Sequence, residues 1–189
     1  PMPYADIGTQ LAASAVTWDD LRWIKEAWGE DRPLIVKGVH CAHDARKAEE
    51  LGATGVIWSN HGGRQQDRVP PVLHTVAQEM PKVGDTQLDF MMDGGVRNGT
   101  DVLIALTYGL KAVGIGRVTA AGIGAGGPAG LRRAFEILQS DFDRAMRLVG
   151  SADGRRVAWS ASAAFTRSLA LPEGVGVEFA AVAGIRTAA

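Results

Sequence analysis

Cysteine is almost missing from this chain: Cys41 stands alone among 189 residues, and four scattered histidines beside it offer no zinc-ligand spacing. An intramolecular disulfide is excluded, and the expected compartment is a reducing, cytoplasmic interior. Net charge is nearly absent as well. Twenty basic residues stand against 21 acidic ones, leaving −1, so no overall field draws the chain to nucleic acid or to a membrane surface, and any bound anion must be held by local groups. No apolar run approaches the roughly 20 residues that span a bilayer, and residues 1–16 lack the basic start and apolar centre of a signal peptide. The sequence opens Pro-Met-Pro instead of with an initiator Met, as expected of a processed, truncated or partial chain. What is present is ordinary for a globular protein. With 46% hydrophobic and 22% charged residues, disordered and collagen-like classes are excluded, and the length suffices for one domain with a substantial core.

In chain order, residues 1–16 read as a loop or flexible lead-in. Thr17 is a candidate N-cap, with Asp19 and Asp20 in the first turn, and Leu21, Ile24 and Trp28 recur at helical spacing before Gly29 and Pro33 stop the helix. Leu34-Ile35-Val36 is a short apolar run of the kind buried on both faces of a parallel sheet, and it ends in Lys37-Gly38. A helix is expected over 43–51, closed by Gly52. The next strand, 55–59, delivers Ser59-Asn60-His61-Gly62-Gly63-Arg64-Gln65. Past Pro70-Pro71 come a helix over about 72–80 and a strand over 88–92 that ends in Asp93-Gly94-Gly95-Val96-Arg97. Asn98-Gly99-Thr100 opens a helix over 101–108, and a fourth strand, 112–115, ends in Gly116-Arg117. The glycine-rich stretch 122–127 is then expected to lead into a helix over 128–149, with Leu131, Phe135, Leu138, Phe142, Met146 and Val149 on one stripe. Residues 151–189 show no clear period and read as a tail, a terminal helix plus a loose end.

Four successive strand–helix units argue for parallel strands with right-handed crossovers, as a barrel or an open doubly wound sheet. In both architectures the rim at the carboxyl ends of the strands is where chemistry occurs. Lys37, Ser59 with His61 and Arg64, Asp93 with Arg97, and Arg117 all fall there. His61 and Arg64 put a proton acceptor and a planar cation three residues apart among glycines, which suits a small carboxylate; the plain alternative is a hydrogen-bonded rim histidine. Arg97 and Arg117, each beside glycines, suit a phosphate, or equally two rim salt bridges. Lys37 at the end of a buried strand needs an anionic partner, from a ligand or from a nearby Asp. Asp93 either accepts from sugar-like hydroxyls or caps its loop. The near-match to GxGxxG at 122–127 does not follow its strand directly, which weakens a dinucleotide reading. Trp18, Trp23 and Trp28 are expected to pack the first helix, His40, His43 and His74 to be surface or helix residues, and Cys41 simply to pack.

Taken together, Val36-Lys37-Gly38, Ser59 to Gln65, Asp93 to Gly99 and Gly114-Ile115-Gly116-Arg117 resemble the FMN-dependent α-hydroxy-acid oxidase and dehydrogenase family, which includes glycolate oxidase, lactate oxidase and mandelate dehydrogenase. The resemblance covers residues 18 to about 149. It implies an α/β fold of the (β/α)8 TIM-barrel type, of which residues 17–150 are the C-terminal half, strands five to eight. It implies FMN as cofactor and oxidation of a small L-2-hydroxy acid to the 2-oxo acid, by hydride transfer or through a carbanion. Lys37 is then placed beside the flavin ring, and Ser59 is a further flavin contact. His61 is the base and also touches the cofactor. Arg64 clamps the substrate carboxylate. Asp93 with Gly94 and Gly95 binds the ribityl side, and Arg97, Gly116 and Arg117 hold the phosphate. No metal is implied. The partners are the hydroxy acid, the missing N-terminal half-barrel with the carboxylate that orients the histidine, and a second copy in a homo-oligomer. Two departures stand out: Trp58 occupies a position where a small aliphatic residue is usual, and the likeness fades after Gly150. A truncated, non-catalytic fragment that keeps the phosphate site, or another FMN barrel such as a type 2 isopentenyl-diphosphate isomerase, are the alternative readings.

Overall fold

The computed structural model describes Thr9, residues 16–150, and the backbone of segments 156–161 and 165–170. Helix α1 (Asp20–Trp28) is followed by β1 (Ile35–Val39), α2 (Ala42–Glu50), β2 (Gly55–Trp58), α3 (Val72–Val83), β3 (Asp89–Asp93), α4 (Gly99–Thr107), β4 (Ala112–Gly114) and the long α5 (Arg117–Leu148). The strands pair in parallel in the order β1-β2-β3-β4. That order decides between the two architectures. A doubly wound sheet reverses its strand order at a switch point, whereas here every unit adds to the same side, as in an arc of a (β/α)8 barrel.

Register explains how the arc is covered. Val56 lies opposite Phe90 and Trp58 opposite Met92, so these four share a face, and all are buried among Ala45 and Ala48 of α2, Val72 and Val76 of α3, and Val102 and Leu106 of α4. The alternate residues look the other way. Met91 is only half-buried and Ile35 is 47% exposed, so the expectation of a β1 buried on both faces is corrected. β1 is an edge strand, and no helix among the described residues lies over the face that carries Ile35, Lys37, Ile57 and Met91.

Trp58 fills the covered face. It is fully buried and stacks on Phe90 with ring centroids 6.3 Å apart, but its indole Nε1 has no hydrogen-bond partner among the described residues. An unsatisfied buried donor costs about 1–3 kcal/mol, which offsets part of what burying so large a ring contributes.

Other expectations shift at the ends of elements. Thr17 does not cap α1: the N-cap is Asp19, and Thr17 instead donates its N–H and hydroxyl to Asp20 Oδ2 at 2.7 and 2.8 Å. The three tryptophans near α1 do not enter the core. Trp18, Trp23 and Trp28 are 37%, 59% and 40% exposed. The indole N–H of Trp23 donates to Asp20 and that of Trp28 to the Pro33 carbonyl, with Arg32 stacked over the Trp28 ring. Lys25, buried along its stem, closes the turn that follows α1: its ammonium donates to the carbonyls of Glu30 and Arg32 at 2.7 and 2.9 Å.

The glycine-rich stretch contains the break that precedes the long limb of α5, which starts at Pro128 as expected, although the first residues of the stretch are already helical. Residues 117–148 run as helix across a kink at Gly126 and Gly127, with Pro128 just beyond it. The glycines serve packing: a Cβ on Gly130 would sit 2.1 Å from the Gly122 carbonyl oxygen, so the two limbs of α5 meet only because neither position carries a side chain. Leu138, Phe142 and Met146 of the expected stripe are buried, whereas Val149 is 41% exposed. Beyond it, the backbone of β5 (Arg156–Ala161) and β6 (Phe165–Ala170) pairs as an antiparallel hairpin, where the sequence showed no strand period. Both strands are rich in Ala, Ser and Arg, which have weak β-propensity and hide the alternation.

Carboxylates bind the helical layer together. Glu79 of α3 accepts from the backbone N–H of Ala42, at the start of α2, at 3.0 Å; Asp141 of α5 accepts from Gly99 N, at the start of α4, at 2.8 Å. Hydrogen bonding from Lys82 and then from Ala42 holds Glu79 below the usual carboxylate range, and Arg144 and then Gly99 do the same for Asp141. A depressed native pKa means the unfolded state binds the proton more readily. The stabilisation is therefore complete above the unfolded carboxylate values, about 4 to 4.5, and is lost as pH falls through the lower native ones. Urea unfolding at stepped pH should show this acid limb, and Glu79→Gln combined with Asp141→Asn should flatten it.

Candidate functional site at the carboxyl ends of the strands

Three adjacent strands end in one polar cluster. Lys37 Nζ lies 3.0 Å from Asp93 Oδ2 and donates to Ser59 Oγ at 3.0 Å. Ser59 Oγ donates to Asp93 Oδ1 and accepts from the backbone N–H of His61 at 3.1 Å. A hydroxyl has one donor and two acceptor positions, so Ser59, itself buried, is fully used. Gly114 makes room for the group, since a Cβ there would come within 2.9 Å of Asp93 Cβ. The Lys37 side chain is 40% exposed, so the pair adds at most about 1 kcal/mol to stability. Its effect is positional. One of the three ammonium N–H groups remains to be donated, and the need of Lys37 for an anion is met by Asp93.

The loop after β2 carries His61 and Arg64. His61 has φ 51°, and Gly62 and Gly63 follow at 65° and 72°, three residues in succession in the left-handed region. For a histidine this is uncommon and costs of order 1 kcal/mol or more, a strain that tends to collect at functional sites. Both His61 and Arg64 are exposed. Among the described residues neither side chain has a hydrogen-bond or ion-pair partner, and nothing orients the imidazole.

The two phosphate candidates do come together. A cavity of about 420 Å³ is lined by Arg97, Arg117, Gly94, Gly95, Asn60 and Arg68, among others. Among the described residues, neither Arg97 nor Arg117 makes an ion pair. Gly94 and Gly95 have φ 97° and 83°. At Gly95 a Cβ would meet nothing within 4 Å, so backbone and solvent meet there directly. Unpaired guanidinium groups beside bare backbone in a cavity of this size match the donor set that a phosphate monoester takes. Asp101 also borders the cavity, but its Oδ2 accepts from Arg97 N at 2.8 Å and Asn98 N at 3.3 Å in a capping box that begins α4. Gly116 is the N-cap of α5 and does not line the cavity.

A larger and more open concavity, about 740 Å³, runs along α5 between Arg132 and Arg147 and holds none of the strand-end motifs. The strand-end cavity, with its unpaired cations, is the one suited to chemistry. Among the residues of that cavity with no role assigned from sequence is Asn60, whose side chain accepts from Gly62 N at 2.9 Å. An asparagine two positions before a glycine is the sequence signal of such a turn.

Comparison with known proteins bears on this geometry. The model of the family described as FMN-dependent dehydrogenase matches residues 2–162. A 2-hydroxyacid oxidase of Dictyostelium discoideum is 42% identical over 144 residues, covering 76% of this chain and 36% of the relative. A pre-mycofactocin synthase of Mycobacterium tuberculosis is 36% identical over 152 residues, covering 80% and 38%. Among solved structures, a variant of flavocytochrome b2 superposes with a TM-score of 0.71 at 37% identity, over 76% of this chain and 38% of that one. A mandelate oxidase variant gives 0.66 at 35%, over 72% and 40%. The chain thus spans little more than a third of the length of these proteins.

Proposed function

The chain belongs to the FMN-dependent dehydrogenase family, and from that premise we propose that it supplies the base, the carboxylate clamp and the phosphate site of an enzyme that oxidises a small L-2-hydroxy acid to the 2-oxo acid. The observation that carries the reading is the joint placement of two unpaired arginines at one cavity with the polar cluster of Lys37, Ser59 and Asp93 beside it. FMN, when bound, accepts the two electrons of the oxidation.

Arg97 and Arg117, with the N–H groups around Gly94 and Gly95, hold the phosphate. Asp93 accepts from the ribityl hydroxyls through lone pairs that Lys37 and Ser59 leave unused. With FMN bound, the remaining N–H of Lys37 would be available to stabilise negative charge on the ring. Arg64 grips the substrate carboxylate through a planar, two-pronged contact, and His61 takes a proton from the bound hydroxy acid. Residues 17–150 form this part of the barrel. Four further strands complete it and bring the group that orients His61, in keeping with the share of each relative that the chain covers. The single Cys41 suits a reducing compartment, and no helix among the described residues is long and apolar enough to cross a membrane.

The test is anaerobic reduction. With FMN in the complete barrel, lactate, glycolate or mandelate should bleach the absorbance of the oxidised flavin. If none of the three does so, the substrate class is wrong.

A further inference from the structure

Asn60 stands between the two halves of the site. It follows β2, immediately before His61, and its side chain makes two hydrogen bonds and lies over a glycine. Its Oδ1 accepts from Gly62 N at 2.9 Å. Its Nδ2 donates to the Pro70 carbonyl at 3.3 Å. On its far side Oδ1 faces Gly94, where an added Cβ would come within 3.1 Å of it. Between Asn60 and Pro70 the chain from 61 to 68 is exposed throughout. Of the hydrogen bonds that hold it, Asn60 supplies the one to Gly62 and the one that ties its far end at Pro70. Arg68, near that far end, is itself at φ 59°, so the segment starts and finishes in left-handed backbone.

We propose that Asn60 is the positioning residue for both His61 and Arg64: it holds the His61 backbone in its strained conformation, clips the ten-residue loop shut at Pro70, and seats that loop against the glycine notch of the phosphate-side strand end. Its amide does all three because it accepts at one end and donates at the other. An alanine does none of them, and a serine keeps only the turn bond to Gly62 N, more weakly. This rests on the proposed function for its kinetic consequences but not for its structural one, so the two are read separately.

The experiment uses the complete FMN-loaded barrel and the variants Asn60→Ala and Asn60→Ser. Amide hydrogen exchange across 61–69 should accelerate about tenfold in the alanine variant and by less in the serine variant, with exchange in the strands unchanged. Flavin reduction by the best hydroxy acid should fall about 10- to 100-fold in kcat with a raised KM in the alanine variant, as both base and clamp lose their places, and the serine variant should recover part of the kcat. The thermal midpoint should stay near that of the parent, and flavin content is measured in each sample so that kcat is expressed per bound FMN. Unchanged exchange in the alanine variant overturns the proposal whether or not the protein turns out to use hydroxy acids. Loosened exchange with parental kcat and KM overturns it too. If the parent itself reduces with no hydroxy acid, the function fails and the exchange result alone decides for or against Asn60.

Discussion

Replacing His61 with glutamine in the complete barrel is expected to slow flavin reduction by a 2-hydroxy acid by about 10²–10⁴-fold, the usual weight of a positioned acid–base group, while FMN stays bound. The separation follows from where the groups lie. The phosphate cavity is lined by residues of the loops after β2 and β3 and by Arg117, and the imidazole is not part of its wall. His61 meets the polar cluster only through its backbone N–H on Ser59 Oγ, which glutamine retains. Glutamine fills similar space but cannot accept and release a proton near neutral pH. Stopped-flow reduction under nitrogen with the flavin content of each sample measured checks this. Loss of flavin together with rate would mean that the imidazole serves cofactor retention, and a rate within threefold of the parent would remove it as the base.

The second large effect concerns folding. Gly99→Ala is expected to destabilise the chain by about 3 kcal/mol or more, because there is nowhere for a methyl group to go: a Cβ at Gly99 would lie 1.9 Å from Phe142 N and 2.4 Å from Phe142 Cα. These are backbone atoms of α5 and cannot rotate away, so α4 and α5 must separate, exposing the buried contacts of Phe142 and Met146 and stretching the hydrogen bond from Gly99 N to Asp141. Overpacking ordinarily costs 1–3 kcal/mol, and the upper end applies where the obstruction is main chain. Denaturant unfolding of Gly99→Ala against Thr100→Ala, its exposed neighbour, checks the claim. Equal midpoints would show that the helices can part cheaply.

Much of this was readable in the residues themselves. Alternating short apolar runs and amphipathic stretches, each strand run ending in a charged or hydroxyl residue, placed the four units and put Lys37, Ser59, His61, Arg64, Asp93, Arg97 and Arg117 at their carboxyl ends. Asn98-Gly99-Thr100 announced α4, which begins at Gly99, two residues before the expected start. What was hidden depended on neighbours distant in sequence. Whether β1 is covered on both sides depends on what lies across it, which periodicity within five residues cannot report. Nothing in the sequence shows that Gly122 and Gly130 are needed for the two limbs of α5 to touch. The choice of Asp93 as the partner of Lys37 rests on parallel pairing through β2, across 56 residues of sequence that carry no charge pattern linking them. The partnerless Trp58 indole likewise shows only once the core is assembled around it.

The two carboxylate anchors divide the helical layer in a way that the even spacing of the strands does not suggest. Glu79 fastens the start of α2 to α3, and Asp141 fastens the start of α4 to α5; no carboxylate among the described residues joins α3 to the start of α4. The layer is therefore two riveted pairs with a seam between them. That seam runs between α3, which packs on β2 and β3, and α4, which packs on β4.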